Sequence, residues 1–235
     1  MNDKIKALVL SISDYKENDL LLQVISEDRG FLTLSARGSK KIAGKSHYSN
    51  LCLYEFIIDY KDNKTMFSIH NAKLLSSYYE DNDLSLLTFK NILVELTLKA
   101  KSDYELELYN NICFSLSNIN KTNMYLIGSL FLSYILKLYG VSPNVDGCVD
   151  CHNTKVVSLS SVKGGFVCLE HLGENEPLDI EHLKKFRLIN KADFDKYEAI
   201  KDIEYDFKDF NLMINFYEVN NDNHLKSYKL FKDIK

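Results

Sequence analysis

The chain of 235 residues holds only two prolines and nine glycines. No Ser/Gly-rich linker, repeat or low-complexity tract interrupts it, which excludes a flexible array and leaves domains that follow one another closely. No stretch approaches the roughly 20 uninterrupted apolar residues of a membrane span, and residues 1–6 lack the apolar core of a secretory signal. A cytoplasmic protein with no membrane partner is expected. An excess of positive charge is also missing: 29 lysines and arginines stand against 33 aspartates and glutamates, for a formal charge of -4. General attraction for nucleic acid is thereby excluded, so any DNA site must be local. The five cysteines are an odd number, which suits a reducing compartment and a metal site better than a disulfide framework. What is present is ample apolar material, 46% of the residues, enough for folded cores.

Residues 7–12, 20–25, 31–36, 51–58 and 65–69 are short β-branched and aromatic runs, with turn residues at Glu27-Asp28-Arg29-Gly30 and Lys61-Asp62-Asn63-Lys64. Five short strands in one small domain predict a compact barrel; an OB barrel is preferred to other small barrels and sandwiches. From Leu84 the hydrophobic period becomes that of helices, as in Phe89, Leu93, Leu96 and then Leu108 and Ile112. The most apolar element, 124–139, carries Ile127, Leu130, Phe131, Tyr134, Ile135 and Leu138 as a stripe and stops at Gly140 and Pro143. Containing Lys137 and too short to span a membrane, it reads as the central helix of a bundle. Residues 180–188, 207–217 and 224–231 are helical again. The expected fold is α+β: an OB-fold β-barrel (1–80), an α-helical bundle (81–143 and 177–235), and an inserted zinc-finger, zinc-ribbon-like subdomain (144–176).

That insert carries Cys148-Val149-Asp150-Cys151, then sixteen residues, then Cys168-Leu169-Glu170-His171. Two thiolates three apart grip one metal from a tight knuckle, and the second pair completes a tetrahedral Cys3His shell for one zinc ion. Residues 156–162 and 165–167 read as two strands joined at Lys163-Gly164, which folds the second knuckle back onto the first. His152 is the alternative fourth ligand; next to a ligating Cys151 it would point elsewhere, so His171 is preferred. Four protein ligands leave no open position for water, which makes the expected zinc structural and the chain not an enzyme. The zinc-deaminase pattern of His-x-Glu with Pro-Cys-x-x-Cys is missing, and so is the βαβ setting of a thioredoxin-like pair. Cys52 and Cys113 lie in apolar strand and helix patterns and read as core residues.

Between Arg29 and Tyr54 there is no acidic residue, while Arg29, Arg37, Lys40, Lys41 and Lys45 all fall inside. Arg37, Lys40, Lys41 and Lys45 follow the strand ending near Ala36 and are candidate phosphate contacts. Tyr48 lies in the same loop-like stretch and is the candidate for stacking on bases. A basic loop can equally be a solvated loop. Gly38 and Gly44-Lys45-Ser46 imitate a nucleotide-binding P-loop, but the spacing is one residue too long and no helix follows.

The chain carries Ala7-Leu8-Val9-Leu10, Asp28-Arg29-Gly30, Leu34-Ser35-Ala36-Arg37-Gly38-Ser39-Lys40-Lys41, Tyr139-Gly140-Val141-Ser142-Pro143, the two Cys/His pairs and Gly164-Gly165. Together these stretches resemble the RecO family of bacterial recombinational-repair proteins. The resemblance covers essentially the whole chain. It implies an OB domain, a helical bundle and a zinc-finger insert, binding of single- and double-stranded DNA, and annealing of complementary strands. It also implies work with RecR to load RecA onto DNA coated by single-stranded DNA-binding protein, whose C-terminal tail relatives bind on the bundle, and a nucleoid-associated location. The chain departs from the family at Ser46-His47-Tyr48-Ser49-Asn50-Leu51, where relatives often carry proline and further basic residues. With its acidic total, this predicts weaker DNA affinity and reliance on RecR. The competing expectation is a protein-interaction scaffold that hardly touches DNA.

Overall fold

The computed structural model describes residues 3–40, 48–61, 63–79, 82–100 and 105–235. The chain divides into two compact units, Met1–Lys90 with Thr97–Ser117, and Asn91–Leu96 with Asn118–Lys235.

The first unit is built on five strands: β1 (Asp3–Tyr15), β2 (Asp19–Ser26), β3 (Gly30–Ala36), β4 (Cys52–Ile58) and β5 (Phe67–Ser77). They close into a barrel in the order β1-β2-β3-β5-β4, consistent with the OB barrel expected. All neighbours are antiparallel except β3 and β5, which pair in parallel through Leu34↔Phe67 and Ser35↔Ser68. β1 is long enough to pair with β4 along Asp3–Leu8 and with β2 along Ala7–Tyr15, with an irregularity between Val9 and Ser11. Such a bend lets one strand serve both halves of a closed sheet. Alternate residues of β4, Cys52, Tyr54, Phe56 and Ile58, point into a core shared with Ile5, Val9, Leu22, Val24 and Leu34. β5 runs eight residues beyond the end expected at Ile69. Its second half, with His70, Asn71, Lys73, Leu74 and Leu75 exposed, has no buried face to impose a period of two.

Seven α-helices lie among the described residues. α1 (Leu84–Lys99) begins in the first unit and α2 (Glu105–Asn118) lies almost wholly within it. Lys90 is buried on α1, and its ammonium donates to the Tyr78 carbonyl at 2.8 Å.

The second unit is organised around α3 (Met124–Leu138), whose Leu126, Ile127, Leu130, Phe131, Leu132 and Ile135 are all buried. It packs on α4 (Ile180–Lys191) and α6 (Phe207–Asn221). The stop expected at Gly140 is a left-handed cap, φ +71°, with the Gly140 and Val141 amides donating back to the Lys137 and Leu136 carbonyls. A two-stranded hairpin of β6 (Val156–Ser160) and β7 (Gly165–Cys168) stands between α3 and α4. The short α5 (Tyr197–Ile200) precedes α6, and α7 (Lys226–Ile234) follows it. Among the described residues no helix is long and apolar enough to cross a membrane.

Candidate metal centre and nucleic-acid interface

The first knuckle is a tight turn locked by backbone bonds: the His152 amide donates to the Cys148 carbonyl at 2.8 Å and the Cys148 amide to the Asn153 carbonyl at 2.9 Å. A Cβ on Gly147 would lie 2.9 Å from the His152 carbonyl oxygen, so the turn closes only around glycine. A seam then fastens this knuckle to the hairpin. Val149 donates to Phe166, Phe166 to Asn144, and Asn144 to Gly164, at 2.9 to 3.0 Å. Gly164 turns the hairpin at φ +79°, and a Cβ on Gly165 would meet the Asn144 nitrogen and Val149 Cγ1, each at 2.9 Å. The paired glycines thus serve two different needs, a left-handed turn and a close backbone approach.

β7 ends at Cys168, and the 3-10 turn Leu169–His171 brings His171 round to the same point. Its Nδ1 lies 3.3 Å from Cys168 Sγ and 3.7 Å from Cys148 Sγ, while Cys151 Sγ lies 3.7 Å from Cys168 Sγ. One donor atom from each of Cys148, Cys151, Cys168 and His171 lies within 4.8 Å of the other three. A tetrahedral zinc with bonds of about 2.3 Å to sulfur and 2.0 Å to nitrogen needs S–S edges of about 3.8 Å and S–N edges of about 3.5 Å. The donors fit such an ion. All five cysteines are free thiols, and His152, exposed and left-handed at φ +60°, is outside the cluster.

The electrostatics lean the same way. Burial opposes ionisation of Cys148, but amides of Cys168, Cys151 and Asp150 donate to it and bring its thiol down to about 6. The bond to His171 lowers Cys168 and, reciprocally, the bond to Cys168 raises His171. Lys163 braces the outside, 2.6 Å from Asp150 on the first knuckle and 3.4 Å from the His171 carbonyl on the second. Nothing in the spacing of the ligands points to this lysine.

His182, Asp206 and Asp209 form a second group of converging donors. Asp209 is already committed: it takes His182 Nδ1 at 2.6 Å and Lys185 Nζ at 2.9 Å, and it completes a capping box with Asp206 at the start of α6.

In the barrel, the turn after β3 holds Arg37 exposed, and Lys40 lies nearby. The turn between β1 and β2 packs against it. Asp19 accepts from the Gly38 amide at 2.8 Å, the Lys40 amide donates to the Asn18 carbonyl at 3.2 Å, and Lys40 Nζ lies 2.9 Å from Asp14. The island that is free of acids along the chain therefore has acidic neighbours in space. Arg29 is paired with Asp3 at 2.7 Å and stacks on Tyr60, 3.7 Å from the ring centre. Tyr48 packs its ring on Tyr54 and Phe56, at 5.8 and 6.2 Å between centres, and burial raises its pKa. It also lines a cleft of about 580 Å³ with Tyr79 and Leu74. Lys41 and Lys45 lie outside the described residues.

A closed five-stranded barrel, followed by a helical unit with a four-donor Cys3His cluster, defines the architectural class. Within that class, the family described as Recombination protein O N terminal matches residues 1–78, and Recombination protein O C terminal matches 81–228. The chain is 28% identical over 190 residues to the DNA repair protein RecO of Bacillus cytotoxicus, covering 77% of this chain and 74% of that one. Over 230 residues it is 25% identical to the proteins of the same name from Bacillus cereus and Bacillus anthracis, covering 92% of this chain and 91% of each relative. The chain belongs to the RecO family.

Proposed function

We propose that this RecO-family protein is a non-enzymatic mediator of recombinational DNA repair. It binds single- and double-stranded DNA, anneals complementary strands and, with RecR, helps load RecA onto DNA coated by single-stranded DNA-binding protein. The observation that carries the reading is the match of both family halves along residues 1–228. Exposed Arg37 at the end of a barrel strand supports it locally.

In this reading residues 1–80 are the OB-fold DNA-binding domain, 81–143 and 177–235 the helical bundle, and 144–176 a zinc finger. Arg37, Lys40, Lys41 and Lys45 contact phosphates of two strands and screen their repulsion while the bases pair, and Tyr48 stacks on bases. Lys40 exchanges its pairing with Asp14 for a phosphate when DNA arrives. Cys148, Cys151, Cys168 and His171 hold one zinc ion that fixes the insert and performs no chemistry. The tail of single-stranded DNA-binding protein docks on the bundle, and the protein works in the cytoplasm at the nucleoid.

The test is the annealing rate of complementary oligonucleotides with the wild type and with Arg37, Lys40 and Lys41 changed to alanine, across a salt series. The variant is expected to anneal more slowly, with a shallower salt dependence. Equal rates throughout would sink the loop mechanism. The ion pairs Lys40–Asp14 and Arg29–Asp3, with the net charge of -4, favour a second reading, a scaffold that docks partners and leaves DNA to RecR. Undiminished RecR binding by a wild type that anneals nothing would select it.

A further inference from the structure

The C-terminal helix α7 carries Lys226, Lys229 and Lys232, all exposed and each three residues after the last. At 1.5 Å of rise per residue they form a ridge with steps of about 4.5 Å. The neighbouring face of the helix is anchored: Leu225, Tyr228 and Phe231 are buried. Its first amides are already satisfied, since Glu95 accepts from Lys226 and Ser227 at 3.1 and 2.8 Å. The feature of interest is therefore the row of side chains, not the helix terminus.

Several other lysines of the same unit are taken. Lys137 is paired with Asp193, Lys163 with Asp150, Lys185 with Asp209, Lys191 with Asp146 and Lys201 with Glu198, at 2.5 to 2.9 Å. Among the described residues the three ridge lysines have no such carboxylate; Lys232 only lies over the Tyr228 ring, 4.8 Å from its centre. They line one cleft of about 280 Å³ together with His224 and Tyr228. The one carboxylate in that cleft, Glu218, is engaged, accepting from the Leu225 amide at 2.9 Å and facing His224 at 3.4 Å.

Unpaired ammonium groups repeated along one line gain most from a polymer whose negative charges also repeat, because each contact releases a counterion. A single small anion would use one or two of them. We infer that the ridge of Lys226, Lys229 and Lys232 is a phosphodiester-binding strip for a nucleic-acid strand, additional to the basic turn of the barrel. The inference rests on the DNA-binding reading above and extends it, because annealing needs two strands held and each unit then offers its own cations.

The experiment measures binding of labelled oligothymidylate by anisotropy across a salt series, using the full chain and its Lys226→Gln/Lys229→Gln/Lys232→Gln variant. Three lost phosphate contacts are expected to reduce the slope of log K against log salt by about 2, at about 0.7 per contact on a single strand. The control variant Lys196→Gln/Lys201→Gln/Lys208→Gln removes the same charge from lysines that already face carboxylates and is expected to keep the wild-type slope. Should the triple variant lose thermal stability, Lys229→Gln alone is expected to reduce the slope by about 0.7. An unchanged slope in the α7 variant, or an equal loss in both triples, overturns the inference. So does binding of an oligoglutamate that depends on the three lysines while oligothymidylate binding does not. A wild type that binds no oligothymidylate brings down this inference together with the DNA-binding reading. Dependence on Arg37 and Lys40 but not on α7 brings down this one alone.

Discussion

Removing the zinc ion proposed for the four-donor cluster is expected to lower the thermal midpoint of the helical unit by roughly 12 to 20 °C. The apolar cluster at the knuckles is small, Cys148, Val167 and Cys168 with Val149 and Leu172 partly buried beside them. Burying one valine contributes about 1.5 to 3 kcal/mol, so this cluster supplies only a few kcal/mol. The insert is tied to the helices by Phe166, which packs on Phe186 of α4 with ring centres 5.8 Å apart, and by hydrogen bonds from Arg187 to the Val145 carbonyl at 2.6 Å and from Asn220 to the Ser161 carbonyl at 3.0 Å. An ion that binds only the folded form, present at about a thousandfold excess over its dissociation constant, adds about 4 kcal/mol. A unit of this size shifts its midpoint by roughly 3 to 5 °C per kcal/mol, which gives the stated range. The assay is calorimetry on protein with about one zinc per chain, measured by elemental analysis, before and after dialysis against chelator. Cys168→Ser is expected to reproduce the loss and Cys113→Ser to leave the metal in place. A folded, zinc-free wild type with the same midpoint would refute the reasoning.

The thiols themselves should separate by reactivity. In the metal-free protein exposed Cys151 is expected to be alkylated by iodoacetamide at neutral pH faster than Cys113, whose thiol is pushed up to about 12 by burial. Because the folded value of Cys148 lies below the ordinary 9, its contribution to metal-free stability is full above about 9 and is lost as the pH falls through about 6. Equal labelling of Cys151 and Cys113 by mass spectrometry would contradict the separation. Asp209→Ala strips a nearly inaccessible carboxylate from His182, Lys185 and the cap of α6, and is expected to cost about 3 to 5 kcal/mol in urea unfolding. A loss under about 1 kcal/mol would mean that the pair is not mutually supporting. Gly165→Ala forces a methyl against Asn144 and Val149 and is expected to speed zinc loss to a chromogenic chelator. An unchanged rate would show that the seam does not hold the knuckles.

The convergence of the four donors was legible in the chain because each half is local. Cys148 with Cys151, and Cys168 with His171, sit three residues apart within single turns, and the glycine-turned hairpin needs only adjacent residues to fold one pair onto the other. The stripe of α3 and the alternation in β4 were legible for a related reason: a buried face imposes its period on the sequence. Where no face is buried that signal disappears, which is why β5 runs past its expected end; α5 buries Tyr197 and Ile200, but four residues are too few to show a helical period. Only the tertiary structure decided the rest. Closure of the barrel depends on two residue pairs between β3 and β5, some thirty residues apart in sequence. The acid-free stretch around Arg37 and Lys40 acquires Asp14 and Asp19 as neighbours, the lysines of α7 form no ion pair among the described residues, and Asp209 gathers partners from another helix. Charges act through distance in space, and a linear sequence fixes that distance only for residues within the same turn.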